Sequence, residues 1–427
     1  MKNLFVNLFL AAFLAVAIGS VLAIDPLIPF AIILSLQVLR AFVGSPLPNG
    51  ILASSVDVAA LTAYAGKNKA GLLATMVNSM DFLNDVMIDA NVKNKLRIGK
   101  LNVADGVRPF SSNEEFQDDD LQYTDRFLEV YAAKREIKIE PEKYRQTYLS
   151  EVLMAGSGAN QMQIPYEAFT WREIFKSMWA EVNDNTAWEG FDESTATDYA
   201  AGSTYAVDNY ITYTPTGKTV KQWYKCVTIT TAGQSPDTNP EKWVKVTSSA
   251  LFKGFGTRII EEVTATNLSP ITIGAITGTA GVARGAFLEL FRSMPVTYRK
   301  KGVIINCSYT DFEFLLDDIE EISKYTRPSV TEGPGQTPDY IILPNTSNKC
   351  IVKPATWMTG RRMVAGPLNN LGGQYRNAAL IFGTDLLRDW NDINIMKSEL
   401  WTIKAGIKFL GGTQIANLEE IRINDQL

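Results

Sequence analysis

The chain has 427 residues, 46% of them hydrophobic and 20% charged, which suits a large core and two or three domains and excludes a disordered chain. A net charge of −5 gives no global pull on nucleic acid, and the absence of histidine removes the usual general base and the commonest metal ligand. Three cysteines, Cys226, Cys307 and Cys350, are too few and too scattered for a disulfide framework or a metal knuckle and read as small buried hydrophobes.

From Asn3 to Ile24 no residue is charged, and after Asp25 a second uncharged run reaches Leu39. The first run is long enough to span a bilayer. Lys2 ahead of it and Val21-Leu22-Ala23 at its end also fit a secretory signal. Residues 1–50 therefore read as a signal peptide or anchor, a re-entrant membrane segment, or an arm buried between subunits. Beyond Pro46-Leu47-Pro48, the spacing of Leu73, Met76, Met80, Leu83 and Met87 predicts two helices between Ser55 and Asn94. The acidic stretch Ser111 to Asp120 lacks the regular ligands of a calcium loop and reads as solvated. Phe127 to Glu140 reads as two strands joined near Ala132-Ala133, forming an extended charged hairpin. Tyr166 to Val182 carries one apolar face (Ala168, Trp171, Ile174, Phe175, Met178, Val182) behind Pro165 and predicts a long structural helix.

Composition shifts at Phe191. Residues 191–247 are rich in Thr, Tyr, Gly and Asn, with strand signals near Tyr210–Tyr213, Trp223–Thr230 and Trp243–Val246. The pattern of Tyr205, Tyr210, Tyr213, Trp223-Tyr224, Ser235-Pro236 and Asn239-Pro240-x-x-Trp243 resembles a short chitin-binding carbohydrate-binding module. Neighbouring strand residues point to opposite faces. Tyr224 and Trp243 are therefore expected in the core of this all-β insert, and Trp223, with Tyr210 or Tyr213, as a flat aromatic platform for a sugar ring.

After the insert come Gly254-Phe255-Gly256, a strand or helix start over Thr257 to Thr266, a helix over Val282 to Met294, and a buried strand Val303 to Ser308. A helix from Asp311 to Tyr325, a loop at Thr331 to Pro338 and a strand Tyr340 to Leu343 follow. Strands alternating with helices predict a compact α/β block. At the end, Trp401, Ile403, Ala405, Ile407 and Phe409 alternate with polar residues, and Ile393 and Ile395 form a second run. The pair predicts a hairpin-like closing of a sheet whose partners lie much earlier in the chain.

The order of these parts, with Met294-Pro295, Lys301-Gly-Val-Ile-Ile-Asn-Cys-Ser308, Leu380-Ile-Phe-Gly-Thr384 and Gly411-Gly-Thr-Gln-Ile-Ala-Asn417, resembles the major capsid proteins of tailed bacteriophages with the Hong Kong 97-type fold. The resemblance implies an α+β chain divided into an apolar N-terminal segment (1–50), N-terminal arm (51–115), and extended loop and peripheral domain with a spine helix (116–190). The inserted module (191–247), axial domain (248–378) and returning C-terminal strands (379–427) complete it. It implies a non-enzymatic shell protein in the virion, with no cofactor and no metal. Its partners would be itself in pentamers and hexamers, portal, scaffold and decoration proteins, and packaged DNA held without sequence specificity. The insert adds host or mucosal glycans.

Catalytic signals are weak. Gly254-Phe-Gly256 and Gly372-Gly373 lack the lysine of a phosphate loop. Ser157 and Ser308 have no histidine to activate them. Glu261-Glu262 and Asp317-Asp318 are helix neighbours that do not face one another. Tyr298-Arg299-Lys300-Lys301 and Arg361-Arg362 read as solvated rims. The alternative is a secreted or membrane-anchored glycan-binding protein or glycoside hydrolase, favoured by the N-terminus and the insert.

Overall fold

The computed structural model describes residues 80–103, 121–139, 166–322, 339–371, 373–385, 392–398 and 402–426. The apolar N-terminus, the expected helix over 55–79, the acidic stretch 111–120, Ser157, the loop 331–338 and Trp401 lie outside them. Among the described residues no helix is long and apolar enough to cross a membrane.

The secondary structure is mixed, as an α+β chain requires. Its strands are β1 (Val86–Asp89), β2 (Lys95–Val103), β3 (Leu121–Glu129), β4 (Tyr131–Ile139), β5 (Thr197–Asp198), β6 (Tyr210–Tyr213), β7 (Gln222–Cys226) and β8 (Trp243–Lys245). There follow β9 (Val303–Cys307), β10 (Ile341–Ile342), β11 (Cys350–Pro354), β12 (Val364–Leu371), β13 (Gln374–Gly383), β14 (Asp392–Ser398), β15 (Thr402–Ile415) and β16 (Arg422–Ile423). The helices are α1 (Tyr166–Asn185), α2 (Phe255–Thr264), α3 (Val282–Ser293), α4 (Val296–Lys301) and α5 (Tyr309–Ile322).

A ten-stranded sheet runs β10-β11-β9-β12-β13-β15-β14, with β16 on β12, β1 on β13 and β4 on β15. At one end β9 is buried at every position, as a Val-Ile-Ile run covered on both faces must be. It lies parallel to β11. Ala283, Phe287 and Leu290 of α3 and Phe312, Leu315 and Ile319 of α5 bury against Val303, Ile305, Val352 and Ala365. Asp318 of α5 accepts from the amides of Gly281 and Arg284, 2.9 Å each, and so caps the N-terminus of α3 from a neighbouring helix.

The other end is organised by the return of the C-terminus. Strand β15 pairs antiparallel with β4 through nine residues, from Ile403 opposite Ile139 to Gly411 opposite Tyr131. It then pairs with β13 through Gly412 to Ile415. Its alternation buries Ala405, Ile407 and Phe409. The Trp179 ring of α1 meets Phe409 edge-on at 5.0 Å between centroids. Trp171, Phe175, Met178, Trp179 and Val182 line the buried stripe of α1. An added methyl at Gly412 would lie 2.0 Å from the Glu129 carbonyl, where β3 gives way to β4. Gly412→Ala is expected to cost about 1–3 kcal/mol by overpacking, read by chemical denaturation; a neutral result would show that the junction yields.

Two sequence expectations are corrected here. The helix expected through Asn94 is instead a 3-10 turn (Asp81–Asn84) followed by β1 and β2, because Val86 to Asp89 finds a parallel partner in β13. Tertiary pairing outweighs the helical spacing of Leu83 and Met87. The expected hairpin over Phe127 to Glu140 is not one: the break falls at Val130, and β3 pairs with β2 while β4 pairs with β15.

Candidate interaction surfaces

Two features stand off the main sheet. The first is the β2–β3 hairpin, in register from Lys95 opposite Glu129 to Val103 opposite Leu121. Leu128 and Val130 join Val92 and Leu410 in a small core at its base, with Leu96 and Ile98 packed on. Arg126 pairs with Glu262 of α2, and the Gln414 amide of β15 donates to the Phe127 carbonyl at 2.7 Å. Burial opposes the charge on Glu262, yet its bonds from Asn267 and Arg126 hold its pKa below the usual glutamate value. These contacts tie the hairpin to the body from two elements.

One face of the hairpin changes character along its length. Near the base it carries the Lys95–Glu129 ion pair at 2.7 Å and the Arg97–Asp125 pair, with Lys95 over the Phe127 ring at 4.1 Å. Towards the far end the same face bears Leu101, Val103, Leu121 and Tyr123, which are 52, 67, 66 and 60% exposed. Four large apolar side chains uncovered side by side mark a contact surface.

The second feature is the insert, a four-stranded sheet β5-β6-β7-β8. Its two ends meet, since the Phe191 amide donates to the Ser249 carbonyl at 2.9 Å. Register sorts its aromatics. Ile211 faces Tyr224 and Cys226 faces Trp243. On this side Tyr205, Ile211, Cys226 and Trp243 form the buried core, with Tyr199, Tyr213 and Tyr224 packed against it. Trp243 Nε1 donates to the Gln234 carbonyl at 3.2 Å, and the Tyr213 hydroxyl donates to Asp237 at 2.9 Å. Thr212 faces Trp223 and Tyr210 faces Lys225 on the other side.

The five aromatics singled out from sequence therefore divide unevenly. Tyr213, Tyr224 and Trp243 share the core side. Trp223 and Tyr210 share the opposite side, both half-buried, but Tyr210 stacks on buried Phe191 at 4.0 Å and so forms part of the joint with the body. Trp223 is the remaining ring on that side; it is partly buried, and its Nε1 is buried without a hydrogen-bond partner among the described residues.

No family model matches the chain, and no curated protein matches its sequence. Among solved structures it is similar to a chain of the satellite phage P4 procapsid that includes the size determination protein, at 11% identity and a TM-score of 0.41, covering 83% of this chain and 89% of that one. It is similar to a chain of the capsid of Myoviridae phage XM1, at 10% identity and a TM-score of 0.40, covering 80% and 90%. A third similar chain comes from the virus-like particle of Pyrococcus furiosus, at 8% identity and a TM-score of 0.36, covering 83% and 96%. At these TM-scores the likeness decides nothing about what this chain does.

The residues considered for chemistry have structural work. Glu262 is bonded to Arg126, and Asp318 caps α3. All three cysteines are free and buried, with burial raising the thiol pKa of each. Among the described residues no group of three or more His, Cys, Asp or Glu side chains is placed to hold a metal. The solvated rim expected at Arg361-Arg362 is corrected: Arg361 pairs with buried Asp311 at 2.7 Å, and Arg362 is only 6% exposed, donating to the Gln426 carbonyl. Both are drawn in because the returning C-terminal residues and α5 supply acceptors that the local sequence does not contain.

One surface escaped the sequence reading. The β4–β15 register sets Lys138 opposite Lys404 and Lys134 opposite Lys408 on the face away from Ile407 and Phe409. Each strand shows its two lysines at a spacing of four, which was the available signal, but only the pairing brings all four together.

Proposed function

We propose that this chain is a structural shell protein that assembles with copies of itself, built as a Hong Kong 97-type tile: a major capsid protein of a tailed bacteriophage. The observation that carries this reading is the β2–β3 hairpin, tied to α2 and β15 at its base while Leu101, Val103, Leu121 and Tyr123 stay uncovered at its far end. An anchored projection with an apolar end is a device for joining molecules, and burying it takes a second copy. The pairing of β15 with β4 supports the same reading, because it brings the C-terminal strand back beside a strand from the first half of the chain and closes one tile. On this reading the hairpin is the extended loop, α1 the spine helix, and the block over 248–378 the axial domain. Packaged DNA, portal and scaffold would be further partners. Purified full-length chain viewed by electron microscopy is expected to give closed shells or rings of capsomers; monomers at every concentration would overturn the proposal.

A second proposal concerns the insert as a glycan-binding surface, favoured by Trp223, partly exposed and on the side of the sheet away from the buried core. Because Phe191 and Ser249 are hydrogen-bonded, a short bridge can replace 192–246 without stretching the body. That deletion is expected to preserve assembly and abolish binding to chitin or mucin. Trp223→Ala is expected to weaken glycan binding by about tenfold or more, since stacked aromatic faces contribute on the order of 1–3 kcal/mol. Unchanged retention on a chitin column would remove the glycan role.

A further inference from the structure

A cleft of about 400 Å³ opens between α1, β4 and the turn that leads from β8 back into the body. Its floor is apolar and fixed: Met178 and Val182 of α1 and Phe409 of β15 are 3, 2 and 3% exposed, and Leu251 adjoins them. The polar groups around that floor are nearly all donors. β4 contributes Lys134 and Arg135, and β8 contributes Lys245, which is exposed and forms no ion pair among the described residues. Glu181 is the one carboxylate in the lining. It lies 3.3 Å from Arg135 with its own side chain 51% exposed, a loose pair that leaves guanidinium N–H groups for a second acceptor. Thr247 and Ser248 add hydroxyls whose oxygens already accept. The Trp223 amide donates to Thr247 Oγ1 at 3.3 Å, and Asn185 Nδ2 donates to Ser248 Oγ at 3.0 Å. Each hydroxyl therefore has its proton left to give.

We propose that this cleft binds an acidic sugar, a pyranose ring that carries a carboxylate. It is a site apart from the Trp223 ring and goes beyond both readings above. Three cations against one carboxylate favour an anion, and a guanidinium matches a carboxylate with two parallel bonds. The two hydroxyl protons suit the oxygens of a sugar ring, and the aliphatic floor suits its C–H face. Arg135 and Lys245 hold the acid group, and Thr247 and Ser248 orient the ring. A bare sulfate or phosphate would leave the floor uncovered. A nucleotide would want an aromatic face for its base. Phe409 offers none, because it is buried and meets Trp179 edge-on.

Calorimetric titration of the full chain with N-acetylneuraminic acid tests the assignment, with neutral N-acetylglucosamine and inorganic sulfate alongside. The acidic sugar is expected to bind at least about tenfold more tightly than either. Arg135→Gln with Lys245→Gln is expected to abolish that preference while holding the thermal midpoint, since both side chains reach solvent. If the pair does not fold, Lys245→Gln alone is expected to weaken binding by about threefold or more. Trp223→Ala is expected to leave it unchanged. Sulfate that binds as tightly as the acidic sugar reduces the cleft to a bare anion site and overturns the proposal. So does a double variant that binds like the wild type, or a loss on Trp223→Ala with the double variant intact, which would hand the acid to the aromatic platform. Duplex DNA that displaces the sugar and is lost in the same double variant gives the cleft to phosphate backbones and overturns it too. Titration reads free chain and assembled particles alike. A chain that never forms shells therefore leaves a positive result standing, and shells that do not bind the acid defeat the cleft alone.

Discussion

Lys353→Met is expected to destabilise the chain by about 3–5 kcal/mol, the cost of leaving a buried carboxylate without its cation. Asp85 is 3% exposed, between the 3-10 turn and β1. Lys353 of β11 lies 2.6 Å from its Oδ1 as an ion pair, and Trp357 Nε1 donates to its Oδ2 at 2.6 Å. Lys353 also donates to the Asn84 carbonyl at 3.2 Å, so one ammonium joins the turn to the β9–β11 end of the sheet. Burial raises the Asp85 pKa above 3.8, with Lys353 and Trp357 working against it and Asp81 adding to it.

Between 3.8 and the raised folded-state value the native chain binds more protons than the unfolded one, so the contribution of Asp85 to stability falls as pH rises through that window. Removing Lys353 extends the window upward. The deficit of the variant is therefore expected to be largest at neutral pH and to shrink on acidification towards about pH 4, where Asp85 protonates in both states. Asp85→Asn added to Lys353→Met is expected to recover much of the loss, since an amide oxygen still accepts from Trp357. Denaturation curves at several pH values measure this; a deficit under about 1 kcal/mol, or one flat with pH, would mean that water already reaches Asp85.

The helices α1, α3 and α5 and the buried strand were legible because each carries its own periodicity, whereas α2 was open between strand and helix and the short α4 was not foreseen. The stripe of α1, the run Val303 to Cys307 and the alternation through Phe409 are local patterns that survive into the structure with boundaries moved by a few residues. What depends on a remote partner was not legible. Val86 to Asp89 is a strand because β13 lies beside it, and the hairpin is β2 with β3 because β4 is taken by β15. The same limit applies to the surfaces. Strand parity puts Trp223 and Tyr224 on opposite faces, as the register has them, but nothing local tells that Tyr210 stacks on Phe191, nineteen residues earlier. The lysine face is the clearest instance, since its halves lie far apart in sequence and its charge exists only once the register is known.

Trp179→Ala is expected to cost about 3–5 kcal/mol and to loosen the C-terminal strand before the rest of the chain. The ring is buried and tilted against Phe175 at 6.1 Å, which in turn meets Trp171 at 6.1 Å, so three aromatic rings succeed one another at intervals of four along α1. Phe409 is the point where this row touches β15. Truncating Trp179 opens a cavity between the helix and the strand, and hydrogen exchange is expected to accelerate through 404–411 more than through β9, whose core is built by α3 and α5. Trp179→Phe separates packing from polarity. The Trp179 indole N–H finds no acceptor among the described residues. Phenylalanine therefore removes a buried unsatisfied donor as well as volume, and it is expected to cost far less than alanine. If both variants lose the same stability, the ring contact with Phe409 contributes little, and the pairing of β15 with β4 holds the C-terminus in place without the helix. If they differ as expected, α1 and β15 act as one unit, and the pairing of β15 with β4 depends on the helix packing behind it.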